Sequence, residues 1–152
     1  GSRMRLVLLL ICGFACCAHG DLKHDDGALK AVLDLFTAMK QANESRVLSL
    51  FAPTATLGTA APSGLKYDKV ADFAASIGAA HAGELQEDIE GVPDVQLSWP
   101  LATVWAKYRF VLNGTLHHCG VNAVQLYSTA PSAEAEPAWQ IVNIIDTRVA
   151  CH

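Results

Sequence analysis

The hydrophobic pattern of this chain changes period near Gly83, and that change divides it into two textures. Before it, apolar positions repeat at helical spacing. Leu29, Val32, Leu33, Phe36 and Met39 fall on one stripe, and Asp25-Asp26-Gly27 supplies acidic residues where a helix start favours them. A first helix is therefore expected from there to about Ala42. Glu44 to Phe51 reads as a second short helix with Asn43 as its N-cap and Pro53 as its stop. Val70, Phe73, Ala74 and Ile77 predict a third, from about Asp68 to Gly78.

After Gly83 the period becomes two. Val95 to Ser98 is strand-like, Trp99-Pro100 turns the chain, and Ala102 to Leu112 alternates. Asn113-Gly114 is a strong two-residue hairpin signal, so Thr115 to Thr129 is the returning strand. A polar connection separates it from a last strand, Trp139 to Val149. Helices followed by antiparallel hairpins predict an α+β domain with helices on one face of the sheet.

Strand alternation also assigns faces. Tyr108, Phe110 and Leu112 lie opposite Trp105, Lys107 and Arg109. His118, Gly120, Asn122, Val124 and Leu126 lie opposite His117, Cys119 and Val121. On this phase His117 and His118 point to opposite faces and cannot grip one ion together, and His117 with Cys119 falls short of the three or four ligands zinc requires. No metal site and no cofactor are expected.

The first residues follow a different logic. Gly1-Ser2-Arg3 precedes Met4 as a cloning scar or a piece of upstream reading frame. Arg5 then leads into LVLLLICGFACCA, the basic start, short apolar run and small-residue end of a secretory leader, with cleavage expected after Ala18. The chain is thus expected to divide into residues 1–18, removed on export, and a single domain over 19–152. Removing the leader lowers the basic residues from 11 to 9 against 15 acidic ones. Neither that balance nor any Lys/Arg stripe suits nucleic acid, and no later apolar run is long enough to span a membrane. Export makes the remaining Cys119 and Cys151 a candidate disulfide, and Asn43 and Asn113, in NES and NGT sequons, candidate glycosylation sites. If residues 126 and 141 pair, Cys119 faces Arg148, and Cys151 reaches it only through a bulge or bend.

The segment from Ala102 to Arg148 resembles the nuclear-transport-factor-2-like superfamily, and within it the lumazine-binding, SnoaL-like branch. The matching residues are Val104-Trp105-Ala106, Tyr108-Arg109-Phe110, Asn113-Gly114, His118-Cys119-Gly120-Val121, Gln125-Leu126, Trp139, Ile141-Val142-Asn143 and Thr147-Arg148. The N-terminal helices fit the same plan, with VLSLFAPTAT ahead of the first strand, so the resemblance covers about residues 27–151. It implies a cone: a curved antiparallel sheet wrapped around helices, with a pocket at the open end. It also implies metal-free, cofactor-free chemistry where there is catalysis, and a dimer formed through the convex sheet face.

Three positions depart from the family pattern. Asn122 stands where Asp is frequent, Val124 where Phe is, and Val149-Ala150 where a second Arg is. An Asn cannot take a proton at ordinary pH, so the strand lacks its general base. Tyr108, His118 and Asn122 are expected to face the pocket as ligand-binding groups. Asn143 joins them on the face of Trp139 and Ile141, and Asp146 falls on the opposite face. His118 is the candidate acid–base residue, because imidazole titrates near neutrality. Three functions follow: an exported binder of an unknown small molecule, a cyclase, dehydratase or isomerase using His118, and a dimeric interaction scaffold.

Overall fold

In a computed structural model, residues 18–152 are described, with side chains from residue 26 onward. Of the leader segment expected over residues 1–18, all but Ala18 lies outside the described residues. Among the described residues, three helices, α1 (Ala18–Lys40), α2 (Glu44–Leu50) and α3 (Val70–Gly78), cover one face of a six-stranded sheet. Its strands are β1 (Phe51–Ala61), β2 (Gly64–Asp68), β3 (Leu85–Ser98), β4 (Leu101–Leu112), β5 (Thr115–Ser128) and β6 (Trp139–Thr147), in the order β2-β1-β6-β5-β4-β3. The α+β plan holds. The sheet is mixed rather than purely antiparallel, because β1 runs parallel to β6, and it is not closed into a barrel.

The helices differ from expectation at their ends for local reasons. α1 begins at Ala18, and Gly27 lies inside it. That glycine permits close packing, since a Cβ there would meet Pro137 and Trp139 at 2.7 and 3.1 Å. Leu35 is buried in place of Leu33, which is exposed. The helix closes with Ala42 at φ 52° and an Asn43 N–H bond to the Ala38 carbonyl, a left-handed cap. Asn43 then caps α2 as expected, accepting from the Arg46 N–H at 3.0 Å. Phe51 ends α2 and starts β1, so Pro53 lies within a strand instead of stopping a helix. Asp68 closes β2, and α3 starts two residues later. The β1–β2 hairpin has no counterpart in the periodic reading, because Thr- and Ala-rich residues from 54 to 61 carry little hydrophobic contrast.

Two irregularities in the sheet decide the site. In β5, Phe110 pairs with His118 and Val111 with Leu116, leaving His117 as an extra residue. In β6, Leu126 pairs with Ile141 but Gln125 pairs with Asn143, leaving Val142 extra. Each bulge advances the alternation by one residue, so the side chains beyond it exchange faces. The buried positions of β6 record the shift: Trp139 and Ile141 precede it, and Ile144 follows.

Candidate functional site

Between the helices and the inner face of the sheet lies a cavity of about 480 Å³. Val32, Leu35, Phe36 and Met39 of α1, Phe73 and Ile77 of α3, and Leu57, Val124 and Ile144 of the sheet make it largely apolar. Polar groups gather on the side formed by β3 to β6, where Glu87, Tyr108, His117, His118, Asn122, Asp146 and Arg148 reach the wall. Thr59, Asp68, Asp72 and Ser76 also line it, with Leu85 and Phe110 adding to the apolar part.

The polar side is organised around two carboxyl groups. Asn122, buried in β5, donates its side-chain N–H to Glu87 Oε1 at 2.6 Å. Glu87 opens onto the cavity and is partly buried. Desolvation is the largest influence on it, and the neighbouring Asp146 charge adds to it. The Asn122 bond and Arg148 work in the other direction, and the carboxyl is pushed up to about 7 from its ordinary 4.5.

Asp146 is held from three sides. Its Oδ2 accepts from the Tyr108 hydroxyl at 3.1 Å and from Arg148 Nε at 3.0 Å, and its Cα pairs across the ladder with Asn122. Its Oδ1 is buried without a hydrogen-bond partner. Tyr108 is almost wholly buried and also lies 2.9 Å from the Thr147 carbonyl oxygen. Burial and the charges of Asp146 and Glu87 push its hydroxyl pKa up, so the tyrosine stays protonated and its proton points into the protein. Gly120 makes that contact attainable, since a Cβ there would overlap the Thr147 carbonyl oxygen and press Tyr108 Cε1 at 2.8 Å. Arg148 is pushed up by its bond to Asp146 despite the opposing effect of burial.

His118 stacks on Phe110 with ring centroids 4.9 Å apart and meets Tyr108 edge-on at 5.7 Å. Burial lowers its pKa, helped by Arg148 and His117, so the imidazole is held neutral near pH 7. The bulge brings His117 to the same wall, with the two Nδ1 atoms 2.8 Å apart. The expectation that these rings face opposite sides is therefore corrected, because alternation fails at an inserted residue.

The sequence-derived candidates divide accordingly. Tyr108, His118 and Asn122 line the cavity together. Asn143 does not. The Val142 bulge turns it to the outer face, where its Oδ1 accepts from Thr56 Oγ1 at 2.6 Å and its Nδ2 donates to Gln125 Oε1 at 3.4 Å. The same bulge brings Asp146 inside instead of to the opposite face, bonded to Arg148 within the cavity wall. Glu87 escaped the sequence reading, although Leu85 and Ile89 flank it at period two and mark the inner face. The isolated bridge Cys119↔Val149, one residue beyond the unbulged register, brings Cys151 to Cys119 as a disulfide with Cα atoms 5.1 Å apart. Asn43 is engaged in its cap, and Asn113 sits at the β4–β5 turn with φ 50°. Trp139 is buried, whereas Trp105 is exposed on the outer face.

No known protein-family profile matches the chain, and no curated protein does. Solved structures do. A nuclear-transport-factor-2-like protein with a cystatin-like fold from Novosphingobium aromaticivorans superposes with a TM-score of 0.65 at 14% identity, covering 84% of this chain and 83% of that one. A nuclear transport factor 2-like superfamily protein from Salmonella enterica serovar Typhimurium gives 0.64 at 14% identity, over 86% and 94% of the two chains. A protein of the same type and unknown function from Shewanella baltica gives 0.62 at 13%, over 86% and 97%. At such identities the likeness speaks to architecture. With helices on one face of a curled sheet and a cavity between them, this chain has the nuclear-transport-factor-2-like, cystatin-like fold.

Proposed function

We propose that this protein binds a small, largely apolar molecule in its cavity, with the polar head of that molecule against Glu87 and Asn122. The observation that carries the reading is the asymmetry of the cavity. A volume of about 480 Å³ lies in the range of small-molecule sites, and its apolar inner walls meet buried polar groups on the β3–β6 side, while Asp68, Asp72 and Ser76 are exposed at the rim. The test uses the neutral fluorophore N-phenyl-1-naphthylamine and a Ser76→Trp variant, which fills the exposed rim. Saturable one-to-one binding that weakens at least tenfold in the variant is expected. Fluorescence that stays at the buffer level, or binding indifferent to Ser76→Trp, sinks the reading.

One observation favours a second reading, cofactor-free proton transfer. The strand lacks the family's Asp at position 122, but Glu87 places a carboxyl against Asn122 and titrates near neutrality. A group balanced between acid and base at working pH is suited to moving a proton next to a carbonyl. Glu87 then takes the part first assigned to His118, while Tyr108 and Arg148 position Asp146. The check is deuterium exchange at the α-carbon of 2-tetralone. Exchange above the buffer rate, rising as Glu87 ionises around pH 7 and absent in Glu87→Gln, supports catalysis. Equal rates in both proteins leave the cavity a binding site.

Membership of the SnoaL-like, lumazine-binding branch, export after a leader cut near Ala18, and dimerisation through the outer sheet face belong to the same proposal. The disulfide supports an oxidising compartment. Exposed Leu101, Trp105 and Tyr127 on the outer face support a dimer, which Trp105→Lys is expected to dissociate in sedimentation velocity.

A further inference from the structure

The geometry points to the class of molecule the cavity takes, an inference that rests on its role as a small-molecule site: a hydrophobic amine in its protonated form, with the ammonium against Glu87. The observation behind it is a carboxyl without a counter-ion. Glu87 lies on the cavity wall, and its side-chain hydrogen bond comes from Asn122 to Oε1. Among the described residues no donor meets Oε2, and no ion pair includes Glu87.

The other charges of the wall set the sign of the ligand. Arg148 is committed to Asp146, with its Nε 3.0 Å from Oδ2. At Glu87 the Asp146 charge outweighs that of Arg148, and Asp88 adds to it. At His118 the order is reversed, and Arg148 outweighs Asp146. The wall is therefore receptive to a cation at Glu87 and averse to one at His118. At the exposed rim, Asp68 pairs with Lys66 at 3.1 Å, while Asp72 has no ion-pair partner among the described residues.

A carboxylate taken out of water without a counter-charge loses free energy that a bound ammonium returns. An N–H bond from that ammonium to Oε2 is charge-assisted on both sides, which makes it about twice as strong as a neutral one. A neutral head recovers less, and a carboxylate head meets like charge. Phe36, Phe73 and Phe110 in the lining suit an aromatic body behind the head.

The test is isothermal titration calorimetry at pH 8 and low salt with three ligands of one body and different heads: 1-naphthylmethylamine, 1-naphthylmethanol and 1-naphthylacetate. At this pH the amine is cationic and Glu87 is mostly ionised. One-to-one binding of the amine, at least tenfold tighter than of the alcohol, is expected, with the acetate weakest. In Glu87→Gln the ratio of amine to alcohol affinity should fall to about one, with near-ultraviolet circular dichroism reporting an intact fold. Asp72→Asn, at the solvated rim, should change that ratio less than twofold. An alcohol that binds the parent as tightly as the amine overturns the cation and leaves the cavity a site for neutral molecules. A preference that survives Glu87→Gln, or falls as far in Asp72→Asn, overturns Glu87 as the receptor. Binding of none of the three also overturns the inference, and the binding reading falls with it only if N-phenyl-1-naphthylamine fails to bind as well.

Discussion

Asn122 and Glu87, on strands separated by β4, are joined by a 2.6 Å hydrogen bond that crosses the inner face of the sheet. The bond gives a desolvated carboxyl one neutral donor and no salt bridge, so Glu87 is only partly compensated. Asp146, opposite Asn122 in the ladder, is instead clamped by Tyr108 and Arg148. Of these two carboxyl groups, Glu87 is the one its surroundings hold near the balance of acid and base at neutral pH.

Glu87 makes stability depend on pH with a definite sign. Its folded-state pKa, about 7, lies above its ordinary 4.5. Its protonated form thus favours folding fully below pH 4.5, and that contribution is lost as pH rises through 7. Glu87→Gln is expected to raise stability at pH 8 by roughly 2 kcal/mol, allowing for screening by cavity water, and by little at pH 5. Urea denaturation at both pH values measures the difference, and equal gains at the two would count against it.

Asn122→Leu removes the donor that partly stabilises the ionised carboxyl. The midpoint of Glu87 titration, followed by carbon-13 NMR of its side chain, is expected to move upward from about 7. Loss of the bond should also lower stability at pH 8 by about 1–3 kcal/mol. A midpoint that stays or falls would show that Asn122 does not govern this carboxyl.

Gly120→Ala tests the close approach behind the Tyr108–Thr147 contact. Because the added Cβ overlaps a backbone oxygen instead of a flexible side-chain tip, relief requires separating β5 from the end of β6. A loss of about 2–4 kcal/mol in denaturant unfolding is expected, with changed tyrosine absorbance as the Tyr108 hydroxyl leaves its acceptors. A variant as stable as the parent would contradict this packing.

The Cys119–Cys151 bridge spans a sequence separation of 32. Loop entropy gives such a crosslink about 3–4 kcal/mol. Cys151→Ser should lower unfolding stability by that amount, and dithiothreitol should lower the parent equally while leaving the variant unchanged. Sensitivity of the variant to the reductant would be the failing result.

Legible in the chain alone were the three helical segments, the Asn43 cap, the Asn113-Gly114 hairpin and the inward placement of Tyr108, His118 and Asn122. Each rests on local periodicity or turn chemistry, which neighbouring residues carry among themselves. The Glu87 position was also legible, between Leu85 and Ile89, although a charged residue on an apolar face is easily passed over. The phase of the alternation beyond His117 and Val142 came from strand pairing. A bulge adds one residue to one strand and none to its partner, so it shows only when the two are paired. That single step turned Asn143 outward, brought Asp146 and His117 to the cavity, and set Val149 against Cys119. The pairing of β1 with β6 was likewise hidden, because parallel partners so distant in sequence share no turn to announce them.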